Sequence, residues 1–371
     1  MESSEHLPRI LGQIPINLPP PMQAQRSESR SNTQTQNQQQ SNHHLSKQNN
    51  RTSHEKRKVG IVDDERCELH IQTPEHQESP ERVRAIRKKL KATGLYKKLI
   101  RIEPLEPTRE DLLSVHTNKY VNKVMRVCSN YGKAMIDNDD VRVSGEDSLV
   151  SAGVAVGGVL AAVDAVINSP HIRKVFCNVR PPGHHASSHR AAGFCIFNNV
   201  AIGAKKALTY PNINSVLIFD WDLHHGDGTQ QVFKCGKDVM VVSFHRAKPF
   251  YPDSGSIDEK GKHFNIHNYP QHENSTIEDY MNNFYQDFLP KAHEFNPDLV
   301  FISCGFDGHK DDYYGALPLD YNHYKLMTKS LCDLANRCCD GRLISVLEGG
   351  YTPNVIADCA AVHINELLSN K

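Results

Sequence analysis

The sequence predicts an α/β protein: a single large domain with a mostly parallel central sheet and helices on both faces. Short apolar runs alternate with longer stretches of helical character, which is the pattern of strand–helix–strand units. The runs are continuously apolar rather than alternating with polar residues, as expected for strands that are covered on both faces. The chain of 371 residues shows no internal repeat and no clear linker after residue 58, so one domain is favoured over the two that its length allows.

A disordered tail is predicted for residues 1–58, and the domain is predicted to span 59–371. The tail contains no Phe, Trp or Tyr, and Leu45 is the only large apolar side chain within Ser31–Asn50. Such a segment buries too little apolar surface to offset the entropy of ordering it. Three consecutive prolines lie within Leu18–Met22, and the tail is where protein partners could bind.

Each predicted strand is a short run of Val, Ile, Leu and Phe that ends near Gly, Asp or another polar residue. In chain order the strands are Val59–Val62, Val175–Val179, Val216–Asp222, Val239–Phe244, Leu299–Cys304 and Leu343–Leu347. The predicted helices lie between them, at Glu81–Thr93, Ser148–Asn168, Asn198–Leu208, Thr276–Phe295 and Tyr321–Arg337. Ligands of parallel sheets bind beyond the carboxyl ends of the strands, and the unusual polar residues of this chain are concentrated there.

The composition argues against several classes of protein. Lys plus Arg and Asp plus Glu each number 43, so the formal net charge is zero. This balance argues against binding to nucleic acid or to an anionic membrane through bulk charge. The ten cysteines show no framework spacing and no CxxC pair, so a structural zinc knuckle is not predicted. Without a signal sequence or a run of 18 apolar residues, the protein is expected to be intracellular, in the nucleus or cytoplasm, and not secreted.

A candidate metal site follows the third predicted strand. The string DWDLHHGDG places three carboxylates and two imidazoles at the end of an apolar run, which would be unfavourable for packing alone. In an extended chain Asp222 and His224 point the same way, so both can bind one divalent metal. Asp307 ends another strand and can supply a third ligand, which suits a catalytic zinc with an open position. The alternative is a buried Asp–His hydrogen-bond cluster.

Acid–base and oxyanion groups are predicted after two further strands. His184 and His185 lie behind a Pro-Pro-Gly turn, where a stiff loop would suit fixed general acid–base groups, although two surface histidines are the alternative. Tyr351 follows two glycines that let the backbone approach a ligand, and it can donate a hydrogen bond to a developing oxyanion. Two loops with aromatic residues could wall a narrow channel: one carries Gly193 and Phe194, and the other carries Phe250 and Tyr251.

Five motifs, in this order and spacing, resemble the zinc-dependent histone deacetylase family: RPPGHHA, GFCIFNNVAIGAKKA, DWDLHHGDGTQ, SCGFDGH and LEGGY. The resemblance covers the chain from about Val59 to its end, and GFCIFNN and LEGG resemble the class II branch and its bacterial relatives. It implies an arginase/deacetylase-like fold with one catalytic Zn²⁺ and one or two structural K⁺ ions. It also implies an acetylated protein or peptide substrate, hydrolysis of ε-N-acetyl-lysine to acetate and lysine, and a role in chromatin regulation.

The resemblance implies roles for individual residues. The implied zinc ligands are Asp222, His224 and Asp307. The implied catalytic residues are His184 and His185, their carboxylate partners Asp220 and Asp227, and Tyr351, which polarises the substrate carbonyl. The implied potassium site comprises Asp220, Ser243 and the backbone carbonyls of Asp222, His224 and Phe244. The implied substrate channel comprises Gly193, Phe194, Phe250, Tyr251, Tyr314 and the inner-cavity residue Arg82, with Asp139 and Asp140 as candidates at the rim. One departure is Gln77, which stands where the family has proline.

Three alternatives to protein deacetylation stay open at this point. An acetylpolyamine amidohydrolase could use the same zinc site; Tyr314, at the position of its acidic gatekeeper, disfavours this, although Asp311 and Asp312 are close. An arginase-type enzyme is disfavoured because it needs two metals and the extra carboxylate ligands are missing beside His184 and Asp307. The third alternative is a catalytically weak scaffold or reader.

Overall fold

The structure, a computed structural model, describes residues 57–130, 132–137 and 141–370. All of these residues belong to one compact unit. The tail predicted for residues 1–58 lies outside the described residues, apart from its last two positions. The first strand already includes the second of these, Lys58.

Strands and helices alternate along the described chain, as predicted. In chain order they are β1 (Lys58–Asp63), α1 (Glu81–Ala92), β2 (Ile100–Arg101), α2 (Arg109–Leu113), α3 (Asn118–Asn130), β3 (Lys133–Met135), β4 (Arg142–Ser144), α4 (Glu146–Asn168), β5 (Ile172–Asn178), α5 (Asn199–Ala207), β6 (Val216–Asp220), α6 (Asp227–Phe233), β7 (Val239–Arg246), β8 (Ile266–Gln271), α7 (Ile277–Asn282), α8 (Leu289–Phe295), β9 (Leu299–Cys304), α9 (Tyr321–Cys338), β10 (Leu343–Leu347) and α10 (Pro353–Ser369). Short 3₁₀ helices lie at Glu65–Glu68 and Tyr96–Lys98, and a π-helical segment, Asn283–Phe288, joins α7 to α8.

Eight strands form one sheet in the order β2-β1-β5-β10-β9-β6-β7-β8. Every neighbouring pair in it is parallel, which confirms the predicted sheet. The remaining two strands, β3 and β4, form a separate antiparallel pair. Because all eight strands point the same way, their carboxyl ends lie along one edge of the sheet.

Helices cover both faces of the sheet, which explains why its strands are continuously apolar. In β6, Val216 and Ile218 contribute to a core shared with α4 and α5, whereas Leu217 and Phe219 contribute to a second core shared with α1, α9 and α10. All four side chains are fully buried. Successive side chains of a strand point to opposite faces, so a strand between two helical layers must be apolar at every position.

Several predicted boundaries were wrong. Strand β6 ends at Asp220 rather than Asp222, so Asp222 and His224 are held in a loop rather than in extended backbone. The helix predicted over Thr276–Phe295 is divided by the π-helical segment. Strand β8 (IHNYPQ) was missed because its Pro, His and Asn residues are untypical of a central strand; it lies at the sheet edge, where proline is tolerated.

Helix α4 is the one helix in the described residues that is long and apolar enough to cross a membrane, but 78% of its apolar window is buried inside the domain. It packs against the sheet closely: a Cβ added at Gly158 would lie 2.6 Å from Val62. This is the environment of a core helix. All ten cysteines lie in the described part of the chain, and each is a free thiol.

Candidate active site

The predicted site residues meet where four neighbouring strands end. Strands β5, β10, β9 and β6 are adjacent in the sheet. The loop after β5 carries His184 and His185, the loop after β10 carries Tyr351, and the loop after β9 carries Asp307. Strand β6 ends at Asp220 and continues into the loop that holds the other candidate ligands. Residues as distant in the chain as His184 and Tyr351 therefore lie at one edge of the sheet.

Asp222, His224 and Asp307 form the candidate metal centre. Their ligand atoms all lie within 4.8 Å of one another. The Nδ1 atom of His224 is 3.1 Å from Asp222 Oδ1 and 3.0 Å from Asp307 Oδ2. The other carboxylate oxygens accept backbone N–H bonds, from Gly349 to Asp222 Oδ2 (2.7 Å) and from Leu223 to Asp307 Oδ1 (3.0 Å). One oxygen of each carboxylate is thus fixed, and the other faces the imidazole.

This donor set fits a zinc ion. Burial would lower the pKa of His224, but the hydrogen bonds to Asp222 and Asp307 raise it to about 9. Burial and the neighbouring Asp222 raise the pKa of Asp307 to about 6. Burial would also raise the pKa of Asp222, but His184 and His224 hold it well below its usual range. Two buried carboxylates crowded on one imidazole are unfavourable by themselves, and a divalent cation bound between them would relieve their repulsion.

His184 and His185 are a buried pair, each backed by its own carboxylate. His184 Nδ1 lies 3.0 Å from Asp220 Oδ2, and His185 Nδ1 lies 2.7 Å from Asp227 Oδ1. The two rings are 4.0 Å apart between centroids, and both residues are less than 5% exposed. The alternative of two surface histidines is therefore wrong, and the predicted carboxylate partners lie in hydrogen-bond contact with the pair.

The environments of the two histidines differ. Burial alone would lower the pKa of His184, but Asp222 and Asp220 raise it well above its usual range. Burial and the adjacent His184 lower the pKa of His185 to about 4. One imidazole is thus favoured as the cation and the other as the neutral base. Such a separation of two neighbouring titratable groups is typical of sites that perform acid–base chemistry.

Tyr351 also lies near the candidate metal centre, since Asp307 and Asp222 both act on its phenol. Burial, with Asp307 and Asp222, raises the pKa of its phenol well above the usual range, so the phenol stays protonated and can donate. The guanidinium of Arg82 lies 5.2 Å from the centroid of its ring. Arg82 is fully buried and donates to the carbonyls of Glu348 and Gly350, so it braces the loop that carries Tyr351.

The aromatic residues that were predicted to line a channel lie close to the candidate centre. Phe194 lies 6.0 Å from the Tyr351 ring, and Tyr251 lies 5.1 Å from the His185 ring. Phe250 stacks on His224 at 5.2 Å, and Tyr314 meets the same ring edge-on at 5.2 Å. The backbone at Gly193 approaches His185 so closely that an added Cβ would lie 2.2 Å from its ring.

The remaining predicted residues are those of the rim and of the implied potassium site. The rim candidates Asp139 and Asp140 lie outside the described residues. Of the implied potassium ligands, Asp220 is paired with Ser243 in the register of β6 and β7. Phe244 follows in β7, and the carbonyls of Asp222 and His224 belong to the loop after β6.

The sequence did not reveal the contacts that two acidic residues make with the loops of the site. Glu348, after β10, accepts hydrogen bonds from the backbone N–H groups of Gly183 and His184. Burial raises the pKa of its carboxyl group to about 7. Asp312, after β9, accepts hydrogen bonds from the backbone of Tyr351 and the residue that follows. For Glu348, an acidic residue directly after an apolar run was the only available signal.

Comparison with known proteins finds a matching family profile and several similar proteins. The family profile described as "Histone deacetylase domain" matches residues 76–367. A "Probable deacetylase" of Archaeoglobus fulgidus is 35% identical over 300 residues, which cover 79% of this chain and 81% of that protein. "Histone deacetylase 15" of Arabidopsis thaliana is 35% identical over 316 residues, covering 82% of this chain and 56% of that protein.

A solved structure is also similar. The crystal structure of the "HDA15 HD domain" has a TM-score of 0.78 and 33% sequence identity, covering 85% of this chain and 90% of that chain. "Histone deacetylase 6" of Caenorhabditis elegans is 35% identical over 81% of this chain. The chain spans only 32% of the length of that protein, whereas it spans most of the archaeal relative.

Proposed function

Because the chain belongs to the histone deacetylase family, we propose that it is a zinc-dependent hydrolase that removes acetyl groups from ε-N-acetyl-lysine in proteins. The observation that carries the proposal is the convergence, at four adjacent strand ends, of three candidate ligands, two carboxylate-backed histidines and a phenol. A buried cluster that served packing alone would not need two separately oriented imidazoles and a protonated phenol around one open centre.

Asp222, His224 and Asp307 would hold the zinc ion. Zinc in a site of this kind polarises an amide carbonyl and lowers the pKa of water. The backbone bonds from Gly349 and Leu223 to the outer carboxylate oxygens orient the two acidic ligands. Such outer contacts tune the affinity of metal ligands. Asp220 and Ser243, paired across β6 and β7, are proposed to contribute to a structural potassium site.

The two histidines would divide the proton transfers. Asp227 holds the Nδ1 proton of His185, so Nε2 has a free lone pair and can accept a proton from the attacking water. The low pKa of His185 keeps this nitrogen unprotonated near neutral pH. His184 is favoured as the cation and would give its Nε2 proton to the leaving lysine amine as the C–N bond breaks. The phenol of Tyr351 would donate to the oxygen that gains negative charge.

The loop after β9 favours a protein substrate over a polyamine. A polyamine has a distal cation, which requires a carboxylate near the mouth of the site. Tyr314 is neutral; its hydroxyl accepts a hydrogen bond from Gln77 Nε2 at 3.3 Å. The carboxylate of Asp312 is buried and accepts the N–H groups of Tyr351 and Thr352, so it does not face a ligand. Among these residues only Asp311 keeps an exposed carboxylate, at 61% exposure.

This proposal is tested by measuring how the purified chain hydrolyses an acetyl-lysine peptide and N8-acetylspermidine. We expect one zinc per chain and a higher kcat/KM for the peptide. The Tyr314→Glu variant should raise kcat/KM for acetylspermidine, and Tyr314→Phe is the matched control that keeps the ring. Preference of the wild-type protein for acetylspermidine would assign it to polyamines. A zinc-loaded chain that hydrolyses neither compound would point to a scaffold.

Several relatives are named histone deacetylases, so acetylated histone tails belong among the peptides to be assayed. With no excess of basic residues, contact with chromatin would occur through the lysine-bearing peptide rather than through bulk charge.

A further inference from the structure

Glu348 is a fully buried carboxylate that holds the backbone of the histidine loop. Its Oε2 atom accepts hydrogen bonds from the N–H groups of Gly183 (2.7 Å) and His184 (3.1 Å). These are the first N–H groups after Pro181 and Pro182, which have none to donate. Because β5 and β10 are neighbours, the residue that follows β10 lies directly beside the loop that follows β5.

Stability alone does not account for this carboxylate. Its Oε1 atom is buried and has no hydrogen-bond partner among the described residues, and an unpaired buried acceptor is unfavourable for folding. His184 is also held through its backbone carbonyl, which accepts a hydrogen bond from the N–H of Thr229 at 3.0 Å. Backbone bonds from two different elements thus fix the position from which the His184 ring reaches Asp220.

Asp312 holds the backbone of Tyr351 in the same way. It is 7% exposed, and its Oδ2 atom accepts the N–H groups of Tyr351 (2.9 Å) and Thr352 (2.7 Å). Thr352 is the N-cap residue of α10, and its own side chain makes no capping bond. Asp312 therefore caps this helix from a different loop and, in doing so, fixes the residue just before it.

We propose that Glu348 and Asp312 are positioning residues for the proposed deacetylation. Glu348 positions His184 by accepting the backbone N–H of His184, and Asp312 positions Tyr351 by accepting the backbone N–H of Tyr351. The proposal rests on the proposed function for the reaction that these side chains serve. Neither carboxylate is proposed to touch the substrate. Without Glu348 two buried N–H groups would be unpaired, and without Asp312 two half-buried ones would be, so that each loop would turn to find another partner.

Glu348→Leu and Asp312→Ala remove the acceptors, whereas Glu348→Gln and Asp312→Asn keep a carbonyl oxygen that can accept the same bonds. A misplacement of about 1 Å can lower turnover by about 100-fold. We therefore expect the Glu348→Leu and Asp312→Ala variants to have a kcat about 10- to 100-fold lower than that of the wild-type protein, with nearly unchanged KM and zinc content. The amide variants should recover most of kcat. Glu366→Leu, which removes a buried carboxylate of α10 away from the site, should leave kcat unchanged.

Crystal structures of the variants supply a readout that does not depend on activity. Glu348→Leu should displace His184 and leave Tyr351 in place, and Asp312→Ala should do the reverse. Undisplaced side chains in both variants, or amide variants as impaired as Leu and Ala, would overturn the proposal. If the wild-type protein hydrolyses no acyl amide, the proposed function fails, while the displacements still decide the positioning roles. If Glu348→Leu does not fold, the position of His184 in the Glu348→Gln structure decides. An unmoved His184 supports the proposal, and a displaced His184 overturns it.

Discussion

Glu78 is the residue whose loss we expect to destabilise the domain most clearly. It is fully buried between two guanidinium groups that are themselves no more than 1% exposed. Its Oε1 atom accepts from Arg82 Nη1 at 3.0 Å and from Arg180 Nε at 2.6 Å, and its Oε2 atom accepts from Arg180 Nη2 at 2.9 Å. Burial would raise the pKa of Glu78, but Arg180 and Arg82 hold it well below its usual range. The carboxylate is therefore ionised at neutral pH.

The Glu78→Gln variant keeps the shape of the side chain and removes its charge, which leaves two buried cations without a carboxylate. Breaking a buried ion pair from one side destabilises a protein by about 3–5 kcal/mol. A larger domain loses about 2–4 °C of Tm per kcal/mol, so Tm should fall by roughly 6–20 °C. Turnover should fall as well, because Arg82 braces the carbonyls of Glu348 and Gly350 beside Tyr351.

The assay is urea unfolding followed by far-UV circular dichroism, with the free energy obtained by linear extrapolation. Glu75→Gln removes an exposed carboxylate three residues away and should change the free energy of unfolding by no more than about 0.5 kcal/mol. If Glu78→Gln lowered it by less than about 1 kcal/mol, the inference that this carboxylate neutralises a buried cluster would be refuted.

Three further predictions concern turnover, metal and pH. Tyr351→Phe should lower kcat by about 100- to 1,000-fold with zinc content unchanged, as measured by steady-state kinetics and elemental analysis. Removal of zinc by a chelator should abolish hydrolysis and lower Tm, both restored by added zinc, and Asp307→Ala should bind zinc weakly. Burial lowers the pKa of His70 to about 3, His116 to about 4 and His363 to about 3. Their stabilisation is complete above the unfolded pKa of about 6.5 and is lost progressively below it, as urea unfolding from pH 7 to 5 would measure.

Each of these predictions has an outcome that contradicts it. Wild-type turnover by Tyr351→Phe would remove the oxyanion role, and Tyr313→Phe, an exposed tyrosine, is the control for loss of a hydroxyl. Hydrolysis that survives complete removal of zinc would contradict the metal assignment. NMR titrations of the folded protein that placed the pKa values of His70, His116 and His363 near the free value of about 6.5 would contradict the pH prediction.

The local sequence pattern was sufficient to predict those features whose chemistry or packing depends on one short segment. The apolar runs that became β5, β6, β7, β9 and β10 were recognised because both faces of those strands are covered. The sequence did not reveal that β6 ends at Asp220, since the apolar Trp221 continues the run in composition but lies beyond the last paired residue of the strand. The sequence also did not reveal β8. This strand lies at the sheet edge, where a strand need not be apolar at every position.

The sequence by itself determined the class of fold and the chemical identity of the candidate site, because apolar runs and strand-end side chains are properties of single segments. Only the tertiary structure decided which strand ends lie side by side. The bond between Glu348 and the backbone of Gly183 joins residues 165 positions apart and depends on β10 lying between β5 and β9. Strand order is set by how the helical layers pack on the whole sheet, and no local pattern encodes it.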